Sequence, residues 1–162
     1  MRILVTGGAG FIGSHLVRRL LANEQDHVVN LDALRYSGNL ENLADVAGHP
    51  HYSFVHGDIC DTVTVEKVFK EYHAEVVINC AAETHVDRSI LDPSGFARTD
   101  VIGTAVLLEE ARKAGVARFM QVSTDEVYGS VEKGYSEEDD ALAPRSPYSA
   151  SKAGGDLLVR SY

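Results

Sequence analysis

VTGGAGFIG, Val5 to Gly13, decides how this chain is read. An apolar run, Ile3 to Thr6, leads into it. A helical pattern, Phe11 to Ala22, with Leu16, Leu20 and Leu21 on one side, leads away. A strand that meets clustered glycines and passes at once into a helix is the opening of a parallel α/β unit. Gly8, Gly10 and Gly13 fit G-x-G-x-x-G, and Gly7, Gly10 and Gly13 fit G-x-x-G-x-x-G. Glycine is needed because the turn is tight and the backbone must come close to a pyrophosphate; the last glycine lets helix and strand pack. Free N–H groups at the helix start, around Phe11 and Ile12, then hold phosphates.

Outward from this turn, short apolar runs alternate with helical patterns. His27 to Leu31, Tyr52 to His56, Val76 to Cys80 and Val116 to Ser123 read as further strands. Thr64 to Tyr72 and Asp100 to Ala114 read as helices, the second ended by Gly115. Asp125 to Arg145 reads as a long loop, within which Ser136 and Asp139 have capping-box spacing. Ser146 and Pro147 open a last helix. The expected fold class is therefore α/β: a Rossmann-type doubly wound parallel sheet, truncated after that last helix. Such a sheet normally continues to a sixth strand, so the expectation is a fragment or short relative of a longer protein. An open sheet edge would then favour self-association, and a homo-oligomer, in the simplest case a dimer, is expected.

Asp32 stands nineteen residues past Gly13, at the end of the second strand. An acid there accepts hydrogen bonds from the adenosine ribose and repels a 2′-phosphate, so the expected cofactor is NAD. Asp58, followed by Ile59, is either an acceptor for the adenine amino group or a strand-end or helix-cap aspartate. Ala81 and Ala82 are small enough to let a cofactor pass, and are equally ordinary as small core residues.

The composition narrows the partners. The chain has 162 residues, with 44% hydrophobic, which suits one domain with its own core. Fifteen basic residues against 24 acidic leave a net charge of −9. That argues against nucleic acid and anionic membrane as partners, though not against an anionic small molecule held by backbone dipoles. Cys60 and Cys80 form no C-x-x-C and read as reduced thiols of a cytoplasmic protein. No stretch is long enough to cross a membrane, and the start of the chain does not read as a signal peptide. His49, His51 and His56 with Cys60 are scattered across a turn and a strand, so no metal site is expected.

YSASK puts Tyr148 and Lys152 four apart at a helix start, on one face. A free tyrosine is a poor base at neutral pH, and a nearby ammonium lowers its pKa. VSTDEVYG, Val122 to Gly129, places Thr124, Asp125 and Glu126 at the end of the fifth strand, where such folds bind ligands.

On VTGGAGFIGSH, LDALRYSGNLENL, GDI, AAETHVDRSI, VSTDEVYG and SPYSASKA, the chain resembles the extended short-chain dehydrogenase/reductases and, within them, the dTDP-glucose 4,6-dehydratase family. The resemblance implies NAD-dependent removal of water from a nucleotide sugar. Tyr148 is the implied base at the C4 hydroxyl, Thr124 holds that hydroxyl, and Lys152 supports Tyr148 and the ribose. Glu126 is the implied base at C5, and Asp125 the acid at the C6 hydroxyl. One acid and one base serving neighbouring carbons suit adjacent carboxylates with pKa values driven apart. Thr84 is the implied substrate contact and Thr99 touches NAD, while His85, Asp87 and Arg88 read as a local network shaping their loop. Sister epimerases and decarboxylases resemble the chain in the glycine turn and Y-x-x-x-K but usually lack Thr-Asp-Glu; a non-catalytic NAD-binding module is the alternative of another class. One residue departs. Asp100 stands where the family commonly has asparagine, and an asparagine both donates and accepts whereas an ionised aspartate only accepts. By the same resemblance, the substrate domain lies outside residues 1–162.

Overall fold

The structure is a computed structural model and describes residues 1–162. Five strands pair in parallel: β1 (Arg2–Thr6), β2 (His27–Asp32), β3 (Tyr52–His56), β4 (Val76–Asn79) and β5 (Arg118–Gln121), in the order β3-β2-β1-β4-β5. The register runs Leu4 opposite Val29 and Val77, and Val77 opposite Phe119. Strand side chains alternate between faces, and that alternation divides the core in two. Leu4, Val29, Leu31 and Val77 join Val65, Val68 and Phe69 of α2 (Thr62–Tyr72) and Leu107 of α5 (Thr104–Ala114) on one face. Ile3, Val5, Val28 and Ile78 join Val17 and Leu21 of α1 (Phe11–Leu21), with Leu43, on the other. Each fully buried Val or Leu contributes about 1.5–3 kcal/mol, which makes these two layers the main stabilising element.

The ends of several elements differ from the sequence reading, each for a local reason. Helix α2 starts at Thr62 rather than Thr64 because Asp61 caps it, accepting from the N–H groups of Val63 and Thr64. Strand β5 is shorter than Val116 to Ser123 because its pairing with β4 spans only Val76–Asn79 against Arg118–Gln121. Two short helices, α3 (Val86–Leu91) and α4 (Pro93–Ala97), fill the crossover after β4; Asp92 caps α4 by accepting from Gly95 N–H at 3.0 Å. The expected helix from Asp100 is instead a π-helical turn, Arg98–Gly103, leading into α5. The long loop holds a 3₁₀ turn, Asp125–Tyr128, capped by Thr124. Within it, Glu137 N–H bonds Asp140, not the Ser136–Asp139 pairing expected. Helix α6 (Pro147–Ser161) begins as the sequence says, with Ser146 and Ser149 forming a reciprocal capping box. Gly115 ends α5 with φ +69°, a left-handed conformation that glycine adopts without strain.

Helix α6 lies against the π turn, α3, α4 and α5. Its approach depends on small residues: a Cβ on Gly155 would stand 2.8 Å from the carbonyl oxygen of Asp100. No helix is long and apolar enough to cross a membrane.

Candidate functional site

Sheets of this topology bind ligands at the carboxyl ends of the strands, where the strand order reverses, here between β1 and β4. A cleft of about 440 Å³ opens there. The polar residues ending the strands shape it. Thr6 Oγ1 donates to Asn79 Oδ1, and Asn79 Nδ2 donates to Gln121 Oε1 at 2.8 Å, tying β1, β4 and β5 together. Asn30 Oδ1 accepts from Gly8 N–H at 2.9 Å, and a Cβ on Gly8 would stand 2.3 Å from that oxygen.

The glycine turn lies along the wall of the cleft. A Cβ on Gly13 would fall 2.2 Å from the Gly7 carbonyl, and one on Gly7 (φ +68°) 2.6 Å from Ala81 N, so both glycines are needed for packing. At Gly10 the nearest atom is Gly7 O at 3.3 Å, so a side chain there would cost the fold little and would fill the cleft instead. No side chain caps α1 at Gly10, leaving the first N–H groups of the helix at the cleft beside Phe11 and Ile12. Those two apolar residues are 79% and 62% exposed, which leaves a large apolar edge available to a ligand. Thr99 Oγ1 is a buried polar atom with no partner, on the same cleft. These features fit a dinucleotide: free N–H donors for its phosphates, apolar edges for its rings, and an unpaired hydroxyl.

Every residue expected to hold the cofactor lines the cleft: Gly7, Gly10, Phe11, Ile12, Gly13, Asp32, Asp58, Ile59, Ala81, Ala82, Thr99, Tyr148 and Lys152, together with Thr84. Asp32 also has a structural task. Its carboxylate accepts from Ala9 N–H and Leu34 N–H, both at 2.8 Å, clamping the glycine turn to the loop after β2. Asp58 accepts from Cys60 N–H at 2.9 Å and pairs with Arg35 at 2.7 Å. Burial pushes its pKa up, but these two contacts outweigh that and hold it below the usual carboxylate range. The strand-end role is thus present, and helix capping falls to Asp61.

Sequence reasoning missed Arg35, which bridges the cleft from Asp58 to Glu83 (2.6 Å). It missed Tyr36 as well, whose hydroxyl donates to Thr84 O and accepts from Thr84 N–H. Arg88 stacks on the Tyr36 ring at 3.8 Å and His85 packs beside that ring at 5.9 Å, so the segment is held to the loop after β2 by stacking, and the expected hydrogen-bonded network among His85, Asp87 and Arg88 side chains is not seen. Only the spacing from Asp32 could have pointed to Arg35 and Tyr36.

At the mouth, Tyr148 is half-buried on the first turn of α6. Burial raises its pKa; the Thr124 hydroxyl opposes this, and the carboxylates of Glu126, Asp100 and Asp125 raise it further. The expected ammonium partner of Tyr148 makes its hydrogen bond elsewhere. The Lys152 ammonium is buried and donates to the Val122 carbonyl at 2.6 Å, and burial lowers its own pKa. Thr124 caps the 3₁₀ turn that carries Asp125 and Glu126, both exposed; the three act on Tyr148 from beside the cleft rather than lining it, and Thr124 and Asp125 line a neighbouring groove. Thr124 Oγ1 accepts from Glu126 N–H at 3.3 Å, which orients the turn. Cys60 and Cys80 are free, and burial pushes the Cys80 thiol beside Lys152 up to about 11.

A parallel sheet in this order, a glycine turn at its crossover and a Tyr-x-x-x-Lys pair at the cleft define a dinucleotide-fold protein of the short-chain dehydrogenase/reductase class. More narrowly, the chain belongs to the GDP-mannose 4,6 dehydratase family, whose model matches residues 4–162. It is 56% identical over 162 residues to the low-salt glycan biosynthesis protein Agl12 of Haloferax volcanii, covering 100% of this chain and 52% of that one. It is 56% identical over 163 residues to the dTDP-glucose 4,6-dehydratase of Streptomyces griseus, covering 99% of this chain and 49% of that one. The crystal structure of DesIV, a dTDP-glucose 4,6-dehydratase from Streptomyces venezuelae with NAD bound, superposes with a TM-score of 0.96 at 51% identity, over 100% of this chain and 51% of that one. A UDP-glucose 4-epimerase of Thermus thermophilus with NAD superposes with a TM-score of 0.91 at 38% identity, over 100% of this chain and 50% of that one. The chain spans about half the length of the curated relatives it matches.

Proposed function

We propose that residues 1–162 carry the NAD site and the acid–base set of a dTDP-glucose 4,6-dehydratase, and that a substrate domain outside this chain holds most of the nucleotide. The observation that carries this reading is that Tyr148, which lines the glycine-turn cleft, is acted on by the Thr124 hydroxyl and by the Asp125 and Glu126 carboxylates of the neighbouring turn. The epimerase fold is nearly the same, so fold does not separate the two activities. An epimerase has no use for the two carboxylates.

NAD would lie with its phosphates at Gly10 to Gly13, its adenosine ribose at Asp32 and its nicotinamide end toward Tyr148 and Lys152. Bound there, it would supply the reversible hydride acceptor that oxidation of the sugar requires. Tyr148 takes the proton of the C4 hydroxyl, which Thr124 holds. The C4 ketone so formed acidifies the C5 proton, and Glu126 removes it. Asp125 gives its proton to the C6 hydroxyl, which leaves as water. Glu126 then returns its proton to C5, giving the 4-keto-6-deoxy sugar; Tyr148 releases the C4-hydroxyl proton and Asp125 regains one, both by exchange with water, which restores the acid–base set. General acid–base steps of this kind each contribute about 10²- to 10⁴-fold.

The test is a mass spectrum of dTDP-glucose after incubation with this chain and NAD, with Glu126→Gln alongside. A product lighter by one water with the native chain, and none with Glu126→Gln, is expected. Conversion to an isomer of unchanged mass by both would favour the epimerase reading.

A further inference from the structure

Asp100 is 1% exposed, in the π turn between the loop after β4 and helix α6. The ion pairs of the cleft, Arg35 with Asp58 and with Glu83, leave it out. Two groups meet its oxygens instead. Glu83 N–H donates to Oδ1 at 3.1 Å, and Ser151 Oγ lies 2.6 Å from Oδ2. Ser151 Oγ also lies 2.8 Å from the Tyr148 carbonyl oxygen.

A hydroxyl carries one proton. With Asp100 ionised, Ser151 has to give that proton either to the carboxylate or to the Tyr148 carbonyl. The other short contact is then oxygen against oxygen with no hydrogen between. A proton on Oδ2 satisfies both contacts: Asp100 donates to Ser151 Oγ, and Ser151 donates to Tyr148 O. We propose that Asp100 works as a neutral carboxylic acid, accepting from Glu83 N–H and donating to Ser151, and so positions the Tyr148–Lys152 helix against the loop that carries Thr84.

The surroundings agree. Burial raises the pKa of Asp100; Ser151 and Lys152 oppose this, and the neighbouring Glu83 carboxylate adds to the rise. An ionised Asp100 would also disfavour the phenolates of Tyr148 on α6 and Tyr36 on the loop after β2. Because the folded-state pKa is raised, the stabilisation that Asp100 provides is complete below its unfolded value and is lost as pH rises through the folded value. The clamp is thus strongest in its neutral form. The importance of the clamp for Tyr148 rests on the function proposed above; the protonation state does not, and the experiment uses neither NAD nor sugar.

The experiment is infrared difference spectroscopy of the whole chain at neutral pH, where ordinary carboxylates are ionised. The expected result is a carbonyl stretch of a protonated carboxyl group that disappears in Asp100→Asn. In Ser151→Ala it moves to higher frequency, because the acid loses its acceptor. Asp100→Asn, which keeps one donor and one acceptor, should melt with the native chain at neutral pH, while Asp100→Ala melts lower. Absence of the band at neutral pH, or its survival in Asp100→Asn, overturns the proposal.

Discussion

Tyr148 meets carboxylates before it meets its lysine. Burial and the Glu126 carboxylate raise its pKa, and the Lys152 ammonium points to the Val122 carbonyl. Removing the Glu126 charge therefore lowers the tyrosine pKa, since the phenolate loses a repelling neighbour. Glu126→Gln should move the acidic limb of the sugar-oxidation rate to lower pH, read by NADH absorbance in a single turnover. Glu126→Gln should stop the reaction at the ketone, so that NADH accumulates and no water is lost. Tyr148→Phe should slow turnover by about 10²- to 10⁴-fold, the scale of one acid–base group, with a smaller effect on NAD affinity measured by calorimetry. Most of these residues were legible in the sequence, because Y-x-x-x-K and Thr-Asp-Glu are local patterns at element ends. The environment of Tyr148 was not legible. Asp100 lies 48 positions away and reaches the tyrosine only through the packing of α6 on the π turn.

The glycine turn makes different demands at each of its positions. Gly13→Ala drives a Cβ into the Gly7 carbonyl, a backbone atom that cannot move aside, and should cost the fold at least ~2 kcal/mol in a denaturant titration. Gly10→Ala meets only Gly7 O at 3.3 Å. It should leave the melting temperature nearly unchanged and weaken NAD binding about tenfold, or ~1.4 kcal/mol. A reversed order of these effects would contradict the cleft described here. Asp61→Ala, which removes the cap of α2, should cost about 1 kcal/mol. The periodicity of the sequence located all five strands and the main helices, since burial of the central strands β1, β2 and β4 leaves mostly apolar runs. It did not show α3, α4 or the π turn. ETHVDRSILDPSGFARTD has no stripe long enough to register, and its short helices are held by packing on α6 and the cap at Asp92.

Across the whole molecule, acid stability should follow a few carboxylates held below their usual range. Asp26 is lowered by the amino terminus, Asp45 by Arg18, Asp61 by Thr64 and Asp92 by Gly95 N–H. Groups of this kind stabilise the fold above the unfolded carboxylate value, about 3.9, and lose that contribution as pH falls through their folded values. Urea midpoints should therefore drop below about pH 4, whereas Asp100 acts with the opposite sign. The relation between this chain and the proposed substrate domain also belongs to this scale. Every residue expected to hold NAD lines the cleft of this chain, so NAD should bind without the proposed substrate domain, while dTDP-glucose should need millimolar concentration. The most direct measurement starts from dTDP-glucose deuterated at C4, incubated at that concentration with the chain and NAD and followed by mass spectrometry and NMR. A product lighter by one water, with the deuterium at C6, is expected. Deuterium returned to C4 in a sugar of unchanged mass would contradict the proposed dehydration.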